Sequence, residues 1–206
     1  MKRTMMMSVV AMLLVVAMAS VATAAVYTYR PVDSDGDDDL RDLDHYKAYL
    51  WGLQPDIAPG ETIVSANLYF HRIRNWNSSS NDLYLTLMDT ATLGVTEYSD
   101  NQATPNYFAA PAFAPYEEIA HYEDLPSTSQ DLTYNFTAAQ VNLLKTYVAD
   151  NNIGLGFDPD CHFYNCYVEL TITTREGGGE PPIPEPAGIA LFLGGLGASV
   201  LRRKRR

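Results

Sequence analysis

The sequence is poor in the residues on which most recognisable chemistry depends. Only two cysteines, Cys161 and Cys166, occur among 206 residues, so neither a multi-bridge disulfide framework nor a four-cysteine zinc site is available. There is no His-Glu-x-x-His pair, Gly-x-Ser-x-Gly elbow, phosphate-cradling glycine loop or Cys-x-x-Cys, which removes the local signatures of zinc proteases, α/β hydrolases, nucleotide binders and thiol oxidoreductases. Basic residues are scarce in the body of the chain. Residues 25–180 hold 7 of them against 24 acidic ones, a net of −17, and a body so charged repels a phosphate backbone and excludes nucleic acid as a partner. The apolar runs, 5–18 and 187–201, are both shorter than the ~20 residues of a spanning helix. What is present is 47% hydrophobic and 11% aromatic residues, too apolar a composition for a chain disordered throughout.

Both ends read as addressing segments. Lys2 and Arg3, the apolar run 5–18 and Ala22-Thr23-Ala24 have the order of a secretory signal peptide over residues 1–24, with the mature chain beginning near Ala25. At the other end, glycines and prolines over 176–186 form a linker that ends in Pro184-Glu185-Pro186, and residues 187–201 precede Arg202, Arg203, Lys204, Arg205 and Arg206. As a helix at ~1.5 Å per residue the apolar stretch spans roughly 22 Å, a marginal anchor for a ~30 Å hydrocarbon core, and its basic end favours the cytoplasmic side. This Pro-Glu-Pro, short apolar helix and arginine-rich terminus resemble the PEP-CTERM sorting signal of Gram-negative bacteria. The resemblance implies export, transient contact of 187–201 with the inner membrane, and an exosortase that removes or replaces the tail. Such systems accompany exopolysaccharide and biofilm production.

Residues 25–175 are expected to form a single domain dominated by alternation at period two, the mark of half-buried strands. From His45 to Leu53, Tyr46, Ala48 and Leu50 fall on one side and Lys47, Tyr49 and Trp51 on the other; after the turn PDIAPG, Val64, Ala66, Leu68 and Phe70 share a face. The two segments read as neighbouring antiparallel strands. Leu83, Leu85 and Leu87 mark a third, residues 89–126 read as long loops with one short strand, and Leu132 to Phe136 reads as a further strand. Thr137 is an N-cap candidate for the one helix, with Val141, Leu144 and Val148 at helical spacing. Ile153 to Phe157 and Val168 to Thr174 close the set. The expected fold is all-β, a jelly-roll-like β-sandwich with one short helix. The body also resembles a recurrent ectodomain of PEP-CTERM proteins, in which stretches like DLDHYKAYLWGL and GLGFDPDCHFYN recur; that resemblance implies no particular activity.

Four groups of residues are candidates for function. Asp33, Asp35 and Asp37 occupy positions one, three and five of a calcium-loop pattern, with Asp44 at position twelve, although the glycine, Gly36, falls at position four instead of six. A calcium site and a solvated acidic segment are the two readings. Asp158 and Asp160, beside Cys161 and His162, offer ligands to a cation such as calcium, an acid/base pair, or the polar residues of an ordinary turn. Cys161 and Cys166, in an oxidising compartment with four residues between them, suit a disulfide if a tight bend brings their Cα atoms within ~7 Å; transition-metal binding with His162 is the weaker reading. Tyr49, Trp51, Tyr69 and Trp76 form a candidate aromatic platform for sugar rings, against the alternative that they fill the core. His45, His71 and His121 are dispersed and read as strand or loop residues. Together these features point to a non-enzymatic surface or matrix protein that binds extracellular polysaccharide or mediates adhesion. A matrix polysaccharide hydrolase using Asp158 and Asp160, and a purely structural spacer, are the alternatives.

Overall fold

The computed structural model describes residues 24–31, 40–77, 81–100 and 106–176. Among these residues the elements run β1 (Ala24–Tyr29), β2 (Asp42–Leu43), β3 (Lys47–Leu53), β4 (Glu61–Asn75), β5 (Asp82–Met88), β6 (Gly94–Ser99), β7 (Tyr116–Glu123), β8 (Gln130–Asn135), α1 (Ala138–Tyr147), β9 (Ile153–Pro159), β10 (Phe163–Tyr164) and β11 (Tyr167–Glu176). Single-turn 3-10 helices at Tyr107–Ala109 and Pro111–Phe113 interrupt the connection from β6 to β7. The strands form two antiparallel sheets, one ordered β1-β11-β4-β10-β2 with β8 also on β4, the other β6-β3-β9-β5-β7. Among the principal strands, β1-β11-β4-β8 stands against β3-β9-β5-β7, which is the jelly-roll order. The outer strands β6 and β7 of the second sheet carry the exposed Glu97, Glu117, Glu118 and Glu123.

This order corrects one expectation. β3 and β4 are not neighbours: β3 pairs with β6 and β9, β4 with β11 and β8. A jelly roll sends the chain from one sheet to the other at that turn, and each strand then takes partners from far along the sequence. The alternation in β4 also changes phase. Ala66, Leu68 and Phe70 are buried, but at the ends Ile63 and Ile73 are buried while Val64 is exposed. The pairing slips between Thr173 and Thr174 and again between Phe70 and Ile73, where Arg72 adopts a positive φ of 59°; each slip moves the following side chains to the other face.

The main core lies between the sheets and includes Leu68, Phe70, Leu83, Leu85, Leu87, Phe157 and Leu170. A smaller cluster of Ala48, Leu50, Met88 and Phe108 covers the outer face of the second sheet. Glycines admit that second layer: a Cβ on Gly156 would stand 2.6 Å from Cδ2 of Phe108, and one on Gly52 only 2.0 Å from the Thr92 carbonyl oxygen. α1 begins at Thr137 as expected, with a full capping box: the Thr137 hydroxyl accepts from the Gln140 amide at 3.3 Å and Gln140 Oε1 accepts from the Thr137 amide at 2.9 Å. It buries Val141, Leu144 and Tyr147 in the main core, Tyr147 taking the place expected of Val148. β1 and β6 were not expected, and 89–126 holds two strands instead of one.

Residues 1–23 and 177–206 lie outside the described residues, and with them the expected signal peptide up to Thr23, the Pro-Glu-Pro motif, the apolar helix and the basic tail. Ala24 already belongs to β1. Among the described residues no helix is long and apolar enough to cross a membrane.

Candidate functional site at one end of the sandwich

The strand directions gather the polar residues of distant segments at one end of the second sheet. Lys47 at the start of β3 pairs with Ser99 at the end of β6, and Leu83 at the start of β5 pairs with Pro159 at the end of β9. Asp82 likewise pairs with Glu123 at the end of β7. The end of β4 joins this rim through the Trp76 amide, which donates to the His162 carbonyl at 2.9 Å.

One half of the rim is a run of aromatic and imidazole rings. Trp76 is 57% exposed and Tyr46 55%. Between them lie His162, whose ring centroid is 6.3 Å from that of Trp76 and 5.9 Å from that of His45, and His45 itself, 4.1 Å from Tyr46. Tyr164 adds a further ring 4.7 Å from His162. Carboxylates interleave with these rings: Asp42 is bonded to Nε2 of His162, and Asp44 Oδ1 accepts from the Tyr46 amide at 3.2 Å and lies 3.5 Å from Nδ1 of His45. Tyr164 also borders an open cleft of about 320 Å³ lined by Arg72, Arg74, Ser129, Asn165 and Cys166. Two guanidinium groups there stand out against an acidic body.

The other half of the rim is carboxylate. Asp158 on β9 is fully buried, and its Oδ2 accepts the Tyr107 amide at 2.7 Å. Asp160, one step beyond the strand, and Asp100, just after β6, complete a trio whose ligand oxygens all lie within 4.8 Å of one another. Burial pushes the Asp158 carboxyl up to about 7, against the pull of the Tyr107 amide, and the neighbouring Asp100 and Asp160 add to the rise. Burial likewise raises Asp160. Two further groups have donors equally close together, Asp44 with His45 and His162, and Asp82 with His121 and Glu123; in the latter His121 Nε2 is 2.6 Å from Asp82 and its ring stacks 4.1 Å from Tyr84.

The sequence matches no protein-family model and no curated protein.

The residues expected from sequence divide accordingly. Asp33, Asp35 and Asp37 lie outside the described residues. Asp44 and Asp158 share the rim but join different groups, Asp44 with His45 and His162 and Asp158 with Asp100 and Asp160. The aromatic platform is corrected in half. Tyr49 and Trp51 are 2% and 3% exposed and belong to the core; burial raises the Tyr49 phenol to about 12, and its oxygen accepts from the Asp44 amide at 3.0 Å. Trp76 is exposed on the rim. Tyr69 stands on the outer face of the first sheet beside His71 and Tyr167, where the Arg30 guanidinium lies 3.7 Å over the Tyr167 ring.

The disulfide expectation is also overturned: Cys161 and Cys166 are both free thiols. The residues between them are not a tight bend but include the extended β10, in which Phe163 pairs with both Leu43 and Asn75. A strand advances ~3.3 Å per residue, so it carries the cysteines apart. Cys161 is buried with its thiol 3.1 Å from Asn75 Oδ1, whereas Cys166 is exposed in the cleft. A shared transition metal fails for the same reason. Asp100, Tyr46 and Tyr164 had no signal of their own in the sequence, because only the strand pairing brings them to Asp158, Trp76 and His162.

Proposed function

We propose that this protein is an exported, non-enzymatic β-sandwich that binds extracellular polysaccharide at the ring-lined rim. The observation that carries the reading is the exposed pair Trp76 and Tyr46, bracketing His45 and His162 with Asp42 and Asp44 between them. Flat aromatic faces suit the apolar faces of sugar rings, and carboxylates and imidazoles suit their hydroxyls. The adjoining cleft adds Arg72 and Arg74, which favours sugars bearing carboxylates, since guanidinium recognises that group in bidentate fashion. The likeness of the C-terminal residues to a PEP-CTERM signal supports delivery by an exosortase to the cell surface or matrix, after removal of the leader by signal peptidase. A hydrolase built on Asp158 and Asp160 draws no support from the geometry, because a carboxyl that is fully buried and held by the Tyr107 amide does not reach a glycosidic bond.

The test is binding to a panel of acidic and neutral polysaccharides. Trp76→Ala and Tyr46→Ala are expected to weaken binding at least tenfold, and Arg72→Gln with Arg74→Gln to remove the preference for acidic chains. Binding unchanged in the Trp76→Ala, Tyr46→Ala double variant refutes the rim as the site. Delivery is tested separately, by following the chain in cells that lack exosortase.

A further inference from the structure

We propose that Asp100, Asp158 and Asp160 hold a calcium ion that ties the ends of β6 and β9 to the 3-10 turn at Tyr107. Three carboxylates from two segments 58 residues apart have oxygens within 4.8 Å of one another. Two oxygens on one calcium at 2.3–2.6 Å are at most about 5 Å apart, so the trio fits within a single shell without rearrangement.

A cluster of carboxylates alone is commonplace; the decisive feature is Asp158. It is wholly enclosed, and the Tyr107 amide satisfies only Oδ2. Oδ1 is buried with no amide or cationic donor, and the groups acting on this side chain are carboxylates, Asp160 through its charge and Asp100 through its charge and a side-chain hydrogen bond. Around Asp160 they are Asp82, Asp100 and His121, the last already bonded to Asp82. A buried carboxylate oxygen facing other carboxylates is costly unless a proton or a cation stands among them, and above about pH 7, where Asp158 gives up its proton, a cation takes that place. The donor set is all oxygen and hard, which suits calcium over transition metals, and bidentate carboxylates, carbonyls and water complete its six to eight ligands. The groups at Asp44 and Asp82 differ: they sit nearer the surface and their imidazoles are bonded to carboxylates. The ion would fix the backbone two residues before His162, but it is inferred independently of sugar binding.

The experiment uses the full chain, melted in EGTA, in about 10 mM calcium and in about 10 mM magnesium, together with terbium luminescence sensitised through the tyrosines beside the trio, Tyr107 and Tyr84. At a concentration 100 times Kd calcium is expected to raise Tm by about 5–10 °C, magnesium by clearly less, and terbium to give a saturable signal displaced by calcium. Asp158→Asn and Asp100→Asn should each lower calcium affinity at least tenfold, while the Asp33→Asn, Asp35→Asn, Asp37→Asn triple variant retains the response. No calcium shift and no terbium signal in the unsubstituted chain overturns the proposal. So does a response that survives both single substitutions, or one lost only in the triple variant, or an equal response to magnesium. If Asp158→Asn does not fold, Asp100→Asn and Asp160→Asn decide. Calcium binding is expected to survive Trp76→Ala, and its loss there overturns the placement of the ion at the trio.

Discussion

Replacing Asp158 by asparagine should stabilise the protein when calcium is withheld, the reverse of what loss of a buried hydrogen-bonding residue ordinarily does. Asparagine keeps an oxygen for the Tyr107 amide and turns the second carboxylate oxygen into a donor facing Asp100 and Asp160. In the native protein burial lifts the Asp158 carboxyl from 3.8 to about 7. The unfolded chain therefore releases this proton near pH 4 and the native state only near pH 7. Between those values the native state binds the extra proton, so stability falls as pH rises, by about 1.4 kcal/mol for each step of one pH unit. The stabilisation is complete below pH 4 and is lost by pH 7 and above, where the penalty reaches on the order of 4 kcal/mol. Asparagine has no such charge. Urea denaturation in EGTA at pH 8 is expected to find Asp158→Asn more stable by roughly 2–4 kcal/mol, and at pH 4 to find the two proteins close together. Calcium at 100 times Kd should narrow the gap at pH 8, because the aspartate gains about 2.7 kcal/mol from it and the more weakly binding asparagine variant at least about 1.3 kcal/mol less. A variant less stable than its parent at pH 8 without calcium, or parallel pH profiles for the two, refutes the reasoning.

Three further outcomes are expected. Gly52→Ala places a Cβ 2.0 Å from the backbone oxygen of Thr92, which no side-chain rotation relieves, so it should lower stability by about 3 kcal/mol, read as a lower urea midpoint; an unchanged midpoint contradicts the packing of residues 91–92 on β3. Maleimide should label Cys166 rapidly and Cys161 only on unfolding, with two thiols counted in denaturant, since one is exposed and the other buried; a count of zero would restore the disulfide. Thr137→Ala removes the cap of α1 and should cost about 1 kcal/mol, whereas Thr137→Asp should recover most of it.

Local chemistry was readable wherever a segment carries its own reason for its shape. α1 announces itself through Thr137, Gln140 and the spacing of Val141 and Leu144, and the buried leucines of β5 alternate cleanly. β1 and β6 lack that signal: as outer strands they are only half covered, their residues running exposed and intermediate, so no sharp contrast marks them. β3 misleads in the opposite way. Both of its faces are buried, one on the main core through Tyr49 and Trp51, the other under Phe108 through Ala48 and Leu50, so an aromatic on either face has no solvent to meet. That second layer exists because Gly154 and Gly156 leave room for it. The candidate sites follow the same logic. Asp158 and Asp160 were visible as a pair, but their third member, Asp100, lies in an aperiodic stretch and is delivered only by the β3–β6 and β3–β9 pairings.

The glutamates on β6 and β7 bear on how copies of this protein behave together. An outermost strand presents an unclaimed ladder of amides and carbonyls that invites a second molecule to extend the sheet, and high concentration multiplies such encounters. Glu117, Glu118 and Glu123 on the β7 border set like charge against like charge when two such borders meet, whereas Glu97 on β6 is already paired with Lys47 at 2.6 Å, so it is the β7 border that resists end-to-end growth into fibres.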